Sequence, residues 1–318
     1  MNTENLTISY MEEYYLSLND WLRQKFGRRI QKLTVDAGLS CPNRDGTVAT
    51  GGCIFCNETG SGSGAFSKGV SITDQIVPAK KHLTRRYKAH SFLIYFQSFS
   101  NTHAPVAHLK QIYTEALSVP DIIGLSIGTR PDCVDEEKIA LLDNLSKTHM
   151  IWVEYGLQSA NDETLSRICR GHTRKTFEEA VHLTKNRGIY ICAHVILGLP
   201  GETKKDMMNT ARFIANSGID GIKLHFLYVI KNTPLAKIYE NGEYTCLTLE
   251  EYAELACDFL ELLPPTMVIQ RLSSLPHETE LIAPLWALDK NAPSKAIKTL
   301  FKKRNTRQGS LYRSEGIL

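Results

Sequence analysis

A short apolar run, a helical segment and another apolar run recur along this chain, and that alternation restricts its fold more than any other feature. The runs are SFLIYF (91–96), DIIGLSIG (121–128), MIWVEYGL (150–157), IYICAHVIL (189–197) and IDGIKLHFLYVI (219–230). Between them lie HLKQIYTEAL, EEKIALLDNLSK, RKTFEEAVHLTKNRG and KKDMMNTARFIANSG; the last two close on Arg-Gly and Ser-Gly, as helix C-termini do. Residues 30–35 (IQKLTV) alternate apolar and polar, the strand period. Continuous apolar runs mark strands buried on both faces. Six strands at roughly 30-residue intervals predict a parallel α/β sheet, open or closed into a barrel.

The flanks depart from that rhythm. Residues 10–26 carry Tyr14, Leu18, Leu22 and Phe26 at near-helical spacing and predict an amphipathic helix. TLEEYAELACDFLELL (248–263) predicts another, stopped by Pro264-Pro265. A Pro-interrupted basic tail follows. We therefore expect an N-terminal helical segment (1–29), a barrel (30–247) and a C-terminal helix with a basic extension (248–318).

Composition excludes several classes. At 42% hydrophobic and 22% charged residues, the 318-residue chain is not a disordered one. No apolar stretch is long enough to span a membrane, and the polar N-terminus is unlike a signal peptide. Eight cysteines are too few for a disulfide scaffold, so a reducing, cytoplasmic setting is expected.

Three of the eight crowd together: Cys41, then 11 residues, then Cys53-Ile54-Phe55-Cys56. Thiolates suit zinc, copper(I) and iron–sulfur clusters. Three thiolates satisfy three irons of a [4Fe–4S] cube and leave the fourth iron open to another ligand. The alternative is a Cys3His zinc site, although the next histidine is His82. The glycine-rich stretch GSGSGAF (60–66) lacks the GK[ST] ending of a phosphate loop and is expected to be a flap near the cysteines. The other five cysteines are expected to be plain thiols.

The segments DAGLSCPNRDGTVATGGCIFC, VEYGLQSANDETLSRICRGHT and HVILGLPGET, with a three-cysteine loop after the first strand, resemble the radical S-adenosylmethionine (radical SAM) superfamily. Within it they look like the small bacterial YtqA/YhcC-type subfamily, and they are similar to the elongator catalytic subunit and to oxygen-independent coproporphyrinogen oxidase. The likeness covers roughly residues 28–275. The wide gap between the first two cysteines departs from the superfamily's commonest spacing and is shared with the elongator-like branch.

The resemblance implies a partial (β/α)6 TIM-like barrel with an N-terminal helix and a C-terminal extension. It implies one [4Fe–4S] cluster on Cys41, Cys53 and Cys56. It also implies S-adenosyl-L-methionine (SAM), chelated at the open iron and cleaved to a 5′-deoxyadenosyl radical that abstracts a hydrogen atom. Phe55 occupies the place that contacts adenine. Gln97, Ser98 and Asn101 lie in the loop that receives the methionyl amine. Gln158 and Arg170 help bind SAM, with Arg170 a partner for its carboxylate; Glu154 and His194 are further cofactor-side positions. Structural readings stand beside these: a Glu154–Arg170 ion pair, and a core histidine at 194. Gly198-Leu199-Pro200-Gly201-Glu202 resembles the family's turn near adenine, and glycine alone explains such a turn.

Substrate is less constrained. Arg23, Lys25, Arg28, Arg29 and Lys32, together with the tail from Lys290 to Arg313, are candidate phosphate contacts or solvated basic faces. The elongator-like relatives act on the wobble uridine of transfer RNA, building a side chain at C5. The resemblance therefore implies modification of such a side chain, for instance removal or remodelling of a carboxymethyl group from carboxymethylaminomethyl-uridine. The chain ends too early for that subunit's acetyltransferase domain, so the acetyl-CoA reaction is not expected. A reductant such as flavodoxin or ferredoxin is implied. Two other classes stay open: a radical SAM enzyme acting on a small metabolite or porphyrin, and a metal-stabilised RNA-binding protein without catalysis.

Overall fold

The computed structural model describes residues 14–57 and 70–313. Its centre is a seven-stranded parallel sheet in the order β1-β2-β3-β4-β5-β6-β8. The strands are β1 (Gln31–Val35), β2 (Phe92–Phe96), β3 (Ile122–Thr129), β4 (Met150–Gln158), β5 (Tyr190–Leu197), β6 (Gly221–Phe226) and β8 (Val268–Arg271). The six predicted strands are present at their predicted places. Sheet order follows chain order, as right-handed crossovers require when each helix returns the chain to the next strand. The sheet curls into a partial barrel, so that Lys32 on one edge strand reaches Gln270 on the other at 3.0 Å.

The seventh strand was not foreseen. VIQR is short and ends in two polar residues, so its periodicity is too weak to read. The last predicted run, 219–230, also breaks in two: β6 stops at Phe226, and β7 (Val229–Ile230) pairs antiparallel with β9 (Leu281–Ala283).

Helices α3 (Val106–Ser118), α4 (Glu136–Ser146), α6 (Arg174–Thr184), α7 (Lys204–Asn216) and α9 (Leu249–Glu261) cover the outer face. The odd-numbered residues of β1 (Leu33, Val35) and their counterparts on each strand join these helices in one apolar core. Gly124 is required here: a Cβ would lie 1.9 Å from the Met150 carbonyl oxygen of the neighbouring strand.

Helix α1 (Leu18–Phe26) is shorter than the predicted 10–26, of which residues 10–13 lie outside the described residues. It starts at Leu18 because the Ser17 side chain caps the Asp20 amide. Leu22 and Trp21 plug the barrel at the N-terminal ends of the strands, against Leu93, Trp152, Cys192 and Val268; the Trp21 and Trp152 rings meet edge to face at 5.4 Å. Four helices escaped the sequence reading: α2 (Ile72–Tyr87), α5 (Asp162–Arg167), α8 (Pro234–Glu240) and α10 (Ala292–Arg304). The basic tail is thus ordered in large part. Pro293 sits in the first turn of α10, where its missing N–H costs nothing, and Ile297 and Phe301 join the core.

Candidate active site

At the C-terminal ends of the strands, opposite the α1 plug, the β1–α2 loop carries the three cysteines. Its backbone is tied at several points. The Cys56 amide donates to the Cys53 carbonyl at 3.0 Å, closing the tight CxxC turn. The Ile54 amide donates to the Ile168 carbonyl at 3.1 Å, and the Leu235 amide donates to the Ile54 carbonyl at 2.9 Å. Ile54 and Phe55 pack into an apolar cluster with Leu165, Ile168, Ile196 and Leu199. The loop is therefore clamped between the segment after β4 and helix α8.

Around Cys53 the chain has gathered N–H donors. Asn43 Nδ2 and Arg170 Nη1 each donate to its sulfur at 3.6 Å. A hydrogen bond from the Cys56 thiol, and next the Arg170 charge, pull the Cys53 thiol down to about 5 against burial. Arg170 is itself held: Nη2 donates to the Gly156 carbonyl at 2.8 Å and Nε to His172 Nε2 at 2.9 Å. Burial, and next the charges of Arg170 and Arg130, push His172 down to about 3, so the ring is neutral and accepts that bond. Arg130 forks onto Asp132 at 2.8 and 2.6 Å and donates to the Arg170 carbonyl at 2.7 Å.

This donor set fits an iron–sulfur cube. The residues are soft thiolates supported by two fixed cations, which lower the cost of their negative charge. Among the described residues, no set of three or more His, Cys, Asp or Glu closes on a single ion. A cube gives each sulfur its own iron and accepts a wider spacing.

The other predicted positions fall into three groups. Gln158 ends β4 with φ 75°, a left-handed conformation uncommon outside glycine. It sits where the β4–β5 register shifts. Strain of that kind collects at functional sites. Gln97 and Ser98 follow β2, and the buried Ser98 hydroxyl has no partner among the described residues. Asn101 is fully buried; its Nδ2 donates to the Ser98 and Gly128 carbonyls at 3.0 and 2.9 Å, and its Oδ1, like the Ser98 hydroxyl, has no partner among the described residues.

Glu154 lies in the barrel lumen, and the ion pair expected with Arg170 as the structural reading is not formed. Its carboxylate takes Lys32 at 3.0 Å, His194 Nε2 at 2.8 Å, and the Lys223 ammonium and Ser126 hydroxyl in close contact. The Lys223 and Lys32 charges hold Glu154 well below the usual carboxylate range, outweighing burial. Burial pushes His194 down to about 4, so a neutral ring donates Nε2–H to the carboxylate. Lys32 is thus no surface phosphate contact. Arg23, Lys25, Arg28 and Arg29 are exposed, but at the α1 end of the barrel, away from the cysteines. GSGSGAF lies outside the described residues.

Sequence reasoning missed Asn43, Arg130 and His172 around the cysteines, and Lys32 and Lys223 as partners of Glu154. The signal for Lys223 was present: Lys223 and His225 alternate within an apolar run, which puts both on one face of β6.

The radical SAM superfamily model matches residues 45–214, and the model for the radical SAM C-terminal domain matches residues 219–303. The chain belongs to the radical SAM superfamily. It is 37% identical over 312 residues to the YtqA protein of Bacillus subtilis, covering 98% of this chain and 97% of that one. To the YhcC protein of Escherichia coli K12 it is 38% identical over 266 residues, covering 83% and 85%. Human elongator complex protein 3 is 30% identical over 158 residues, 49% of this chain and 28% of that protein. In fold it is similar to the archaeal Methanocaldococcus infernus Elp3, with a TM-score of 0.65 at 16% identity, covering 88% of this chain and 64% of that one. As a radical SAM enzyme it uses a [4Fe–4S] cluster and SAM. No helix among the described residues is long and apolar enough to cross a membrane.

Proposed function

We propose that this radical SAM enzyme modifies the C5 side chain of a transfer RNA wobble uridine, removing or remodelling a carboxymethyl group of carboxymethylaminomethyl-uridine. The observation that carries the reading is the sequence match to elongator complex protein 3 over about half of the chain, joined to the wide elongator-like spacing of Cys41 and Cys53. The bound cluster and SAM supply a 5′-deoxyadenosyl radical, able to take a hydrogen atom from an unactivated carbon.

The chain's own residues perform the rest. Cys41, Cys53 and Cys56 hold the cluster, with Asn43 and Arg170 supporting the Cys53 thiolate. Phe55, Gln97, Ser98 and Gln158 are the proposed cofactor neighbours. The loops after β4 and β5 are joined through Ser159, whose hydroxyl donates to Glu202, and through Arg167, which donates to the Pro200 carbonyl at 2.9 Å. Those ties hold the two loops together. Exposed Lys295, Lys302, Lys303 and Arg307 give α10 and its C-terminal turn a basic outer face suited to RNA phosphates; Arg304 is spent on Asp258 at 2.6 Å. The reading places the enzyme in the reducing cytoplasm with a flavodoxin- or ferredoxin-like donor, consistent with eight free cysteines.

The test is mass spectrometry of transfer RNA nucleosides from cells with and without the protein. Loss of one wobble-uridine product and gain of its carboxymethylated precursor is expected; an unchanged profile overturns the reading. Anaerobic incubation of the reduced protein with SAM should give 5′-deoxyadenosine, and Cys41→Ala, Cys53→Ala or Cys56→Ala should each abolish it.

A further inference from the structure

Among the described residues, the barrel lumen carries more cationic than anionic side chains. Lys32 from β1, Lys223 from β6 and Arg271 from β8 share it. Arg271 is the register partner of Lys223 on the neighbouring parallel strand, so the two face the same side of the sheet. The register slips at this point, Ile222 pairing with Ile269 and Lys223 with Arg271, so that Gln270 faces the lumen as well.

Acceptors do not keep pace with these donors. Glu154 is the carboxylate bound in this layer, and its two oxygens are filled by Lys32, Lys223, His194 and Ser126. Lys32 and Lys223 also lie 4.5 and 3.8 Å from the Tyr95 ring centroid, which spreads their charge over a π-face. Gln270 gives its carbonyl to Lys32 and leaves its Nε2 without an acceptor. The Arg271 side chain has no ion-pair or hydrogen-bond partner among the described residues. It is half-buried, hence reachable, whereas Lys223 is only 2% exposed.

The charge of Arg271 is felt on both sides. It reaches His194, His225 and Lys223 below, and Tyr228 above, which in turn senses Cys56 and Glu280. Glu280 is occupied by Asn57 Nδ2 at 3.1 Å. Burial, chiefly, pushes His194 to about 4 and Lys223 to about 7; neighbouring positive charges add to it and Glu154 opposes it. Arg271 is the last residue of β8 and so stands at the C-terminal end of its strand, the end of the barrel that carries the cysteine loop.

We infer that Arg271 receives a carboxylate of the substrate, with Lys32 and Lys223 supplying the positive surroundings and the unpartnered Gln270 Nε2 a further donor. A guanidinium fork matches a carboxylate in two parallel hydrogen bonds, and a cationic lumen with one neutralised acid favours an anion over a neutral group. This deepens the wobble-uridine reading and rests on it for the identity of the substrate: the carboxylate is that of the carboxymethyl group. Anchored there, the side chain presents its methylene next to the carboxylate towards the cysteine loop.

Two measurements test it. First, the reconstituted enzyme with saturating SAM is treated with phenylglyoxal in the presence of acetate or of acetamide, and the Arg271 adduct is read by peptide mass spectrometry. Acetate should protect Arg271 and acetamide should not, with exposed Arg23 labelled equally in both. Equal labelling of Arg271 in the two, or complete protection by SAM alone, overturns the inference. Second, Arg271→Gln and Arg271→Lys are assayed on transfer RNA carrying carboxymethylaminomethyl-uridine. Arg271→Gln should raise KM about ten-fold or more, a loss of one good ionic contact, with its cluster content unchanged; Arg271→Lys should recover part of the loss. An unchanged KM in Arg271→Gln on RNA that the wild type converts overturns the inference and leaves the wobble-uridine reading standing. Acetate protection in an enzyme that leaves this RNA untouched supports the anion pocket and overturns the wobble-uridine reading instead.

Discussion

Arg170 donates one guanidinium nitrogen to the Cys53 sulfur at 3.6 Å and another to the Gly156 carbonyl at 2.8 Å. One side chain thus ties the cysteine loop to the end of β4, and it sets a fixed positive charge beside a ligand thiolate. Hydrogen bonds and charge near cluster sulfurs set reduction potential.

Replacing Arg170 by Gln removes that charge but leaves an amide of related shape. We expect the cluster's midpoint potential to fall and SAM cleavage to slow by roughly 10–100-fold, the usual effect of losing such a supporting partner. Potentiometric titration read by electron paramagnetic resonance, together with 5′-deoxyadenosine yield, checks this; an unchanged potential contradicts it.

Gly156 faces the same guanidinium. A Cβ at this position would lie 2.6 Å from Arg170 Nη2 and 2.7 Å from Gln158 Nε2. Gly156→Ala should therefore displace both polar side chains while the sheet, whose β4 hydrogen bonds need no change, stays intact. Circular dichroism should be native and SAM affinity reduced; wild-type affinity in the variant would show that neither side chain serves the cofactor.

Glu154 offers a test of the lumen. Glu154→Gln leaves Lys223 buried without its counter-charge, and breaking one partner of a buried pair costs about 3–5 kcal/mol. The melting temperature should drop steeply. The double variant Glu154→Gln/Lys223→Met should recover part of the loss, since an apolar chain suits the lumen better than an orphaned ammonium. A double variant no better than Glu154→Gln alone would show that the pair is not the source.

The rim predicts a pH effect. Burial raises Glu202 to about 7, above the value of a free glutamate. The folded state then holds a proton that the unfolded chain releases. Below the unfolded pKa both states are neutral and nothing is lost; stability falls as pH rises towards 7 and is level above it. The loss is on the order of 2 kcal/mol for a largely buried group. Thermal melts from pH 4.5 to 8 should show less of this decline in Glu202→Gln than in the wild type. Parallel curves would refute the assignment.

Much of the fold was legible because its signals are local. An apolar run such as MIWVEYGL names a buried strand from within its own length, and Cys53-Ile54-Phe55-Cys56 names a thiolate turn. The seventh strand was not legible, since Val268–Arg271 has too few residues to display a period. The depth of Glu154 was not legible for a related reason: a position in a motif gives a residue's strand, whereas its depth depends on what the other strands contribute.

The sequence by itself determined a parallel α/β sheet and its three-cysteine loop, because period and spacing are properties of short segments. Only the tertiary structure decided what fills the lumen. Lys32 and Gln270 are 238 residues apart and touch. Lys223 and Arg271 become neighbours on one face because β6 and β8 pair in parallel with a slipped register. Alternation along a strand says which side a residue faces; curling of the sheet decides which charges meet there, and whether they cancel.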